Sequence, residues 1–209
     1  MNDTISINKV FSTPVLQTKP FTFPKEELDI IDEERNIIMD NYGKNFSSKN
    51  TYVLKRLPTI YDFCNHHLQV YAKEVMKVVP NIQFYITQSW LNYNPKNSYH
   101  HAHYHPNSLI SGVLSIKNDS NVPIILDKPV GAKVFDNLLA MYDFTEMNEF
   151  NSPKISFDLP TGSLILFPSK FFHNVPINNN DGDRITLAFN SFLKGDLGGP
   201  EDFLGKLHI

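Results

Sequence analysis

The chain has 209 residues, a formal net charge of −3, 41% apolar and 20% charged residues. That length suits one domain with a sizeable core. The slight acidic excess argues against nucleic acid or an anionic membrane as partner, and apolar runs of only a few residues exclude a membrane-spanning helix.

Cys64 is the single cysteine, so no internal disulfide can form, and the first residues (Met1-Asn2-Asp3-Thr4) lack the pattern of a signal peptide. A cytoplasmic location is therefore expected. In chain order, Ile5–Val15 reads as an edge strand or extended arm. Residues 24–41 read as a helix, opened by Pro24, Glu26 and Glu27, with Leu28, Ile31, Ile38 and Met39 on its apolar face. Residues 42–56 read as loop. A second helix is predicted from Pro58 to Val79, where Ile60, Cys64, Leu68, Tyr71, Val75 and Val78 recur in steps of three and four. His66 and His67 lie on it as ordinary helix residues.

From residue 82 the period becomes two. Ile82–Tyr93 reads as a strand with Phe84, Ile86, Gln88 and Trp90 on one face. Leu109–Lys117, Pro123–Asp127, Lys154–Asp158, Ser163–Phe167, His173–Ile177 and Arg184–Phe192 follow as strands, separated by turn signals such as Asn118-Asp119-Ser120 and Pro160-Thr161-Gly162. Residues 128–152 form an irregular insert. The expected fold class is mainly β, a jelly roll with supporting N-terminal helices. All of 1–209 forms one domain, with helical support in 1–80 and the core in 81–195.

The chemistry concentrates in His100-His101-Ala102-His103-Tyr104-His105-Pro106-Asn107, which holds four of the eight histidines. In an extended chain, residues two apart share a face, so His101, His103 and His105 would lie together, opposite His100 and Tyr104. Neutral imidazole is a common transition-metal ligand. His173 stands downstream, after the apolar strand Leu164–Phe167. Arg184 and Thr186, with Ala188 and Asn190, share one face of an alternating strand. A guanidinium fork pointing into a barrel suits a carboxylate; the same Arg on an exposed edge would be an ordinary salt-bridge partner.

The order of these motifs resembles the 2-oxoglutarate/Fe(II)-dependent oxygenases, most closely those of phages and bacteria, prolyl-hydroxylase-like in type. The matching stretches are Phe11–Val15, Gln88–Asn92, His103–Ser108, Ser111-Gly112-Val113, Gly162–Ser169, His173 and Arg184-Ile185-Thr186. The resemblance implies a double-stranded β-helix, cupin-like, with Fe(II) at the mouth of the barrel and 2-oxoglutarate as small-molecule cosubstrate. It implies a dioxygenase that releases succinate and CO2 and hydroxylates a C–H bond. Arg184 would hold the far carboxylate of the cosubstrate, with Thr186, and Asn92, Ser111 and Asn190 would face the interior beside it. The resemblance implies the cytoplasm of a bacterial cell, phage-infected or not.

The family's usual His-x-Asp pair is missing here. One reading gives iron to His103, His105 and His173, with no catalytic residue beyond these ligands; another places His105 and Asn107 at the His-x-Asp positions, and His101 is a substitute if the strand shifts. Leu114-Ser115 stands where relatives often carry tyrosines. Two rival functions remain: a three-His cupin-type metalloprotein that does not use 2-oxoglutarate, and a non-catalytic jelly-roll protein of a phage. The substrate is open among protein side chains, metabolites and nucleobases, and residues 128–152 suit a lid, a dimer contact or packing.

Overall fold

The computed structural model describes residues 6, 12–35, 38–40, 43–128, 144–199 and 205–209. In chain order the elements are β1 (Leu16–Gln17), α1 (Lys25–Glu34), β2 (Ile38–Asp40), β3 (Phe46–Ser48), a 3₁₀ turn (Val53–Arg56), α2 (Pro58–Val70), a π-helical turn (Tyr71–Val75), β4 (Gln83–Asn94), β5 (His100–His103), β6 (Ile110–Asn118), β7 (Ile124–Asp127), β8 (Lys154–Phe157), β9 (Leu164–Pro168), β10 (His173–Val175), β11 (Arg184–Lys194), β12 (Asp196–Leu197) and β13 (Leu207–His208). They form a jelly roll. A seven-stranded sheet, ordered β1-β9-β6-β11-β4-β3-β2, faces a four-stranded one, ordered β5-β10-β7-β8. β12 and β13 pair separately.

The core lies in two layers. Alternation along the central strands sends Leu91, Leu114, Leu164 and Leu187 to the outer face of the large sheet, against Ile31, Leu57, Ile60, Cys64 and Leu68 of the helical part. The other face carries Val113, Ile165, Phe167 and Ala188, packed against Ile124 and Leu126 of the small sheet. Gly112 sits opposite Phe189, and a Cβ there would fall 2.2 Å from the ring, so only glycine leaves room for this core phenyl.

Several expectations shift. The first helix ends at Glu34, and Ile38–Asp40 instead pair with Phe46–Ser48, because sheet hydrogen bonding overrides a weak helical stripe. The stretch read as loop thus contains β3 and the 3₁₀ turn. The second helix keeps its stripe through Tyr71 and then widens into the π turn, closed by Met76 N–H to Tyr71 O at 2.9 Å. The wider turn rotates Val75 off the core, to 42% exposure. Most of Ile5–Val15 lies outside the described residues, and the edge strand falls at Leu16–Gln17. Within 128–152, Phe135, Met141 and Tyr142 also lie outside them, while Phe144 and Met147 are exposed. In β4 the pairing skips Thr87, between Gln88↔Asn190 and Ile86↔Ser191. That bulge turns Phe84 and Ile86 toward the helices and Trp90 toward the interior, so the four residues expected on one face divide between two.

Candidate active site

Three imidazoles meet at one end of the inner face. β5 and β10 pair antiparallel with His103 directly opposite His173, which brings their ring centroids to 4.3 Å. His105 follows in the turn after β5. Its N–H donates to Ser169 O at 3.0 Å, and Asn107 supplies the left-handed backbone (φ 55°) that a turn of this kind needs. The His105 ring lies 5.2 Å from His103 and 4.9 Å from His173. One nitrogen from each of the three falls within 4.8 Å of the other two.

Hydrogen bonds select which nitrogens are available. His103 Nδ1 lies 2.8 Å from His101 O, and His173 Nδ1 lies 3.1 Å from Phe171 O. A carbonyl only accepts, so both Nδ1 atoms carry the proton and donate. His105 Nδ1 lies 2.5 Å from Asn190 Oδ1 and 3.0 Å from Ser111 Oγ. Donation to Asn190 gives His105 the same tautomer, and Ser111 is held in turn by its bond to Ser169 Oγ at 2.8 Å. The Nε2 lone pair of all three rings is therefore left for a cation. Burial first, then mutual repulsion, lowers the basicity of His105 to a pKa of about 4 and that of His173 well below its ordinary value. Burial likewise lowers His103. The rings are neutral at physiological pH, as ligands must be.

The same cavity, about 270 Å³, holds the second half of the site. It is lined by the three histidines, by His100 and Trp90, and by Arg184, Thr186 and Asn92. Arg184 opens β11 opposite Asn94 and is only 1% exposed. Its Nε donates to Val122 O at 3.2 Å, while its Nη2 has no partner among the described residues. The adjacent carboxylate, Asp183, is taken by Arg35 at 2.6 Å. Burial lowers the Arg184 pKa to about 10, which still leaves it charged at neutral pH. An uncompensated buried guanidinium is costly, and an anion entering the cavity would offset that cost. No Asp or Glu is among the described residues that line it. Three neutral nitrogen donors suit Fe(II), and the unpaired guanidinium suits the far carboxylate of a 2-oxo diacid.

The structure brings together His103, His105, His173, Arg184, Thr186 and Asn92. Asn92 Oδ1 accepts from Ser47 Oγ at 2.9 Å. Ser111 and Asn190 stand behind His105 at its Nδ1, and neither is among the cavity-lining residues. Asn107 is exposed in its turn, away from the cluster. Ser115 is fully buried and its Oγ has no partner among the described residues. The alternation expected for the histidine segment fails. Between the pairs His103↔His173 and His100↔Val175 there is one more residue on β5 than on β10, and His100 stacks on His103 instead of facing away. Sequence reasoning therefore missed His100 as a wall of the site; a bulge leaves no mark in a run of similar residues.

Comparisons with known proteins agree with this geometry. Residues 88–190 match the family described as "Putative 2OG-Fe(II) oxygenase". None of the curated proteins matches the sequence. Among solved structures, a 2OG-Fe(II) oxygenase family oxidoreductase from Burkholderia pseudomallei superposes with a TM-score of 0.57 at 14% identity, over 85% of this chain and 84% of that one. The non-heme alpha-ketoglutarate-dependent epimerase SnoN of nogalamycin biosynthesis gives 0.57 at 9% identity, over 88% and 81%. HygX from Streptomyces hygroscopicus, solved with nickel, 2-oxoglutarate and hygromycin B, gives 0.53 at 13% identity, over 86% and 82%. At these identities the structural likenesses establish the fold, and the matched segment 88–190 contains every histidine of the cluster together with Arg184. The segment that carries the histidine cluster and Arg184 matches the 2-oxoglutarate/Fe(II)-dependent oxygenase family, within a fold shared with solved members of it.

Proposed function

We propose that this chain is a hydroxylating dioxygenase in which His103, His105 and His173 hold Fe(II) through Nε2 and Arg184 and Thr186 hold the far carboxylate of 2-oxoglutarate. The observation that carries the reading is the unpaired Nη2 of a fully buried Arg184, in the same cavity as three converging imidazoles. When bound, iron and cosubstrate supply an oxidative decarboxylation that consumes O2, releases succinate and CO2, and places one oxygen atom in a substrate C–H bond. The protein's own part is orientation. Asn190 and Ser111 fix the His105 ring. The carbonyls of His101 and Phe171 fix the other two rings. Asn92, tied to Ser47, stands across from Thr186 on the neighbouring strand, within the cosubstrate's half of the cavity.

We read residues 1–209 as one oxygenase unit, with 81–195 as the jelly-roll core and 1–80 as its support. A reducing cytoplasm suits its lone, buried Cys64. No described helix is long and apolar enough to cross a membrane. A three-His metalloprotein that ignores 2-oxoglutarate leaves Arg184 unexplained, and a non-catalytic jelly roll leaves both halves unexplained. The test is anaerobic addition of Fe(II) and 2-oxoglutarate to purified protein. A weak visible absorption band that needs both components is expected, followed by succinate release under O2. Absence of both signals would overturn the reading.

A further inference from the structure

His100 is part of this site without belonging to the metal cluster. It lines the same cavity as Arg184, Thr186 and Asn92, yet it is not one of the three imidazoles whose nitrogens converge. The extra residue on β5 turns it inward. Its ring lies parallel to His103, with centroids 4.5 Å apart and planes at 20°, and edge-on to His101 at 5.3 Å. It shares the cavity wall with both the histidine cluster and Arg184. A neutral imidazole has one N–H to donate. Its contacts with neighbouring rings are stacking and edge contacts, which leave that donor available. The described cavity lining offers no carboxylate to receive it.

A 2-oxo diacid held at one end by Arg184 and at the other by the cluster would share the cavity with this ring. We propose that His100 is a cosubstrate-binding residue, donating its N–H to an oxygen of 2-oxoglutarate while its ring face braces His103. This rests on the function proposed above, and the two are tested separately by one experiment.

The protein is loaded with Ni(II) as a redox-inert stand-in, and 2-oxoglutarate binding is followed by calorimetry and by the fluorescence of Trp90, the only tryptophan and a wall of the cavity. His100→Phe keeps a ring against His103 and removes the donor. His100→Gln keeps a donor and removes the ring. His100→Phe is expected to raise the 2-oxoglutarate dissociation constant about tenfold or more, the loss of one hydrogen bond to a charged group, with Ni(II) affinity within about twofold of wild type. His100→Gln should recover 2-oxoglutarate binding to within about threefold of wild type. Equal 2-oxoglutarate affinity in wild type and His100→Phe would overturn the proposal. So would a loss that His100→Gln shares, or a parallel loss of Ni(II) affinity in His100→Phe, either of which makes His100 a structural prop alone. Wild-type protein that takes up Ni(II) but no 2-oxoglutarate would remove the ground for the function itself.

Discussion

Glu27 and Arg184 are both charged and almost fully buried, on opposite faces of the large sheet, and they are treated differently. Glu27 is 5% exposed, and both its oxygens accept from the start of α2: Thr59 N–H at 2.7 Å and Ile60 N–H at 2.9 Å. Those amides have no partner within their own helix, and the positive helix end favours the carboxylate. The charge is compensated inside the fold. Arg184 keeps one backbone acceptor and a buried Nη2 with no partner among the described residues, and its side chain lines the cavity. A buried charge that the fold satisfies holds structure together. One that the fold leaves unsatisfied, in a cavity, is a cost that a bound ligand offsets.

The comparison breaks first at Arg184. Arg184→Met should weaken 2-oxoglutarate binding to the metal-loaded protein by about 100-fold or more, about 3 kcal/mol, because the incoming carboxylate loses the buried cation that would face it. The stability of the ligand-free variant should not fall, since an unpaired charge has been replaced by an apolar chain of similar length. Calorimetry and urea denaturation read the two effects, and a variant that unfolds while still binding normally would reverse the assignment. Glu27→Ala should do the opposite. It exposes two buried amides to no acceptor and should cost about 2 kcal/mol of stability, with 2-oxoglutarate affinity unchanged.

A third test uses the histidines as a second kind of buried titratable group. The folded pKa values of His100, His103, His105 and His173 lie below the unfolded value of 6.5. The unfolded chain therefore binds more protons in the window between those values and 6.5, so stability rises with pH through it and falls on acidification. The metal-free protein should lose on the order of 2 kcal/mol between pH 6.5 and 4, read from denaturant midpoints. His105→Asn should flatten that slope, and an unchanged slope would mean the ring is not buried as neutral imidazole. The smallest effect sharpens the Arg184 half. Thr186→Val keeps the shape and removes one hydroxyl, so 2-oxoglutarate affinity should drop about fivefold to tenfold while metal affinity stays the same.

Legibility in the sequence tracked the reach of the interaction. β4 and the strands from β6 to β11 were readable because alternation and turn residues are local. Gly162–Phe167 and Arg184–Asn190 announce a buried strand and an inward polar face in their own residues. Two bulges were not readable. Thr87 divides Phe84 and Ile86 from Trp90, and the extra residue on β5 turns His100 inward, because a bulge depends on how a partner strand is paired. Ile38–Asp40 went wrong for the same reason: helix and hairpin compete for an apolar stretch, and only Phe46–Ser48 decides between them.

The sequence by itself determined a helix-supported jelly roll, with His103, His105, His173, Arg184 and Thr186 as candidate groups, in an order of motifs that resembles the 2-oxoglutarate/Fe(II) oxygenases. Residue type and period carry the fold, since they set what each segment can bury, and the resemblance carries the rest. Only the tertiary structure decided that one nitrogen from each of His103, His105 and the distant His173 meets within 4.8 Å, that Asn190 and Ser111 orient a ring, and that Arg184 Nη2 is left without an acceptor among the described residues. Those facts arise where strands far apart in the chain are set side by side, and strand register rather than local sequence fixes which atoms face each other.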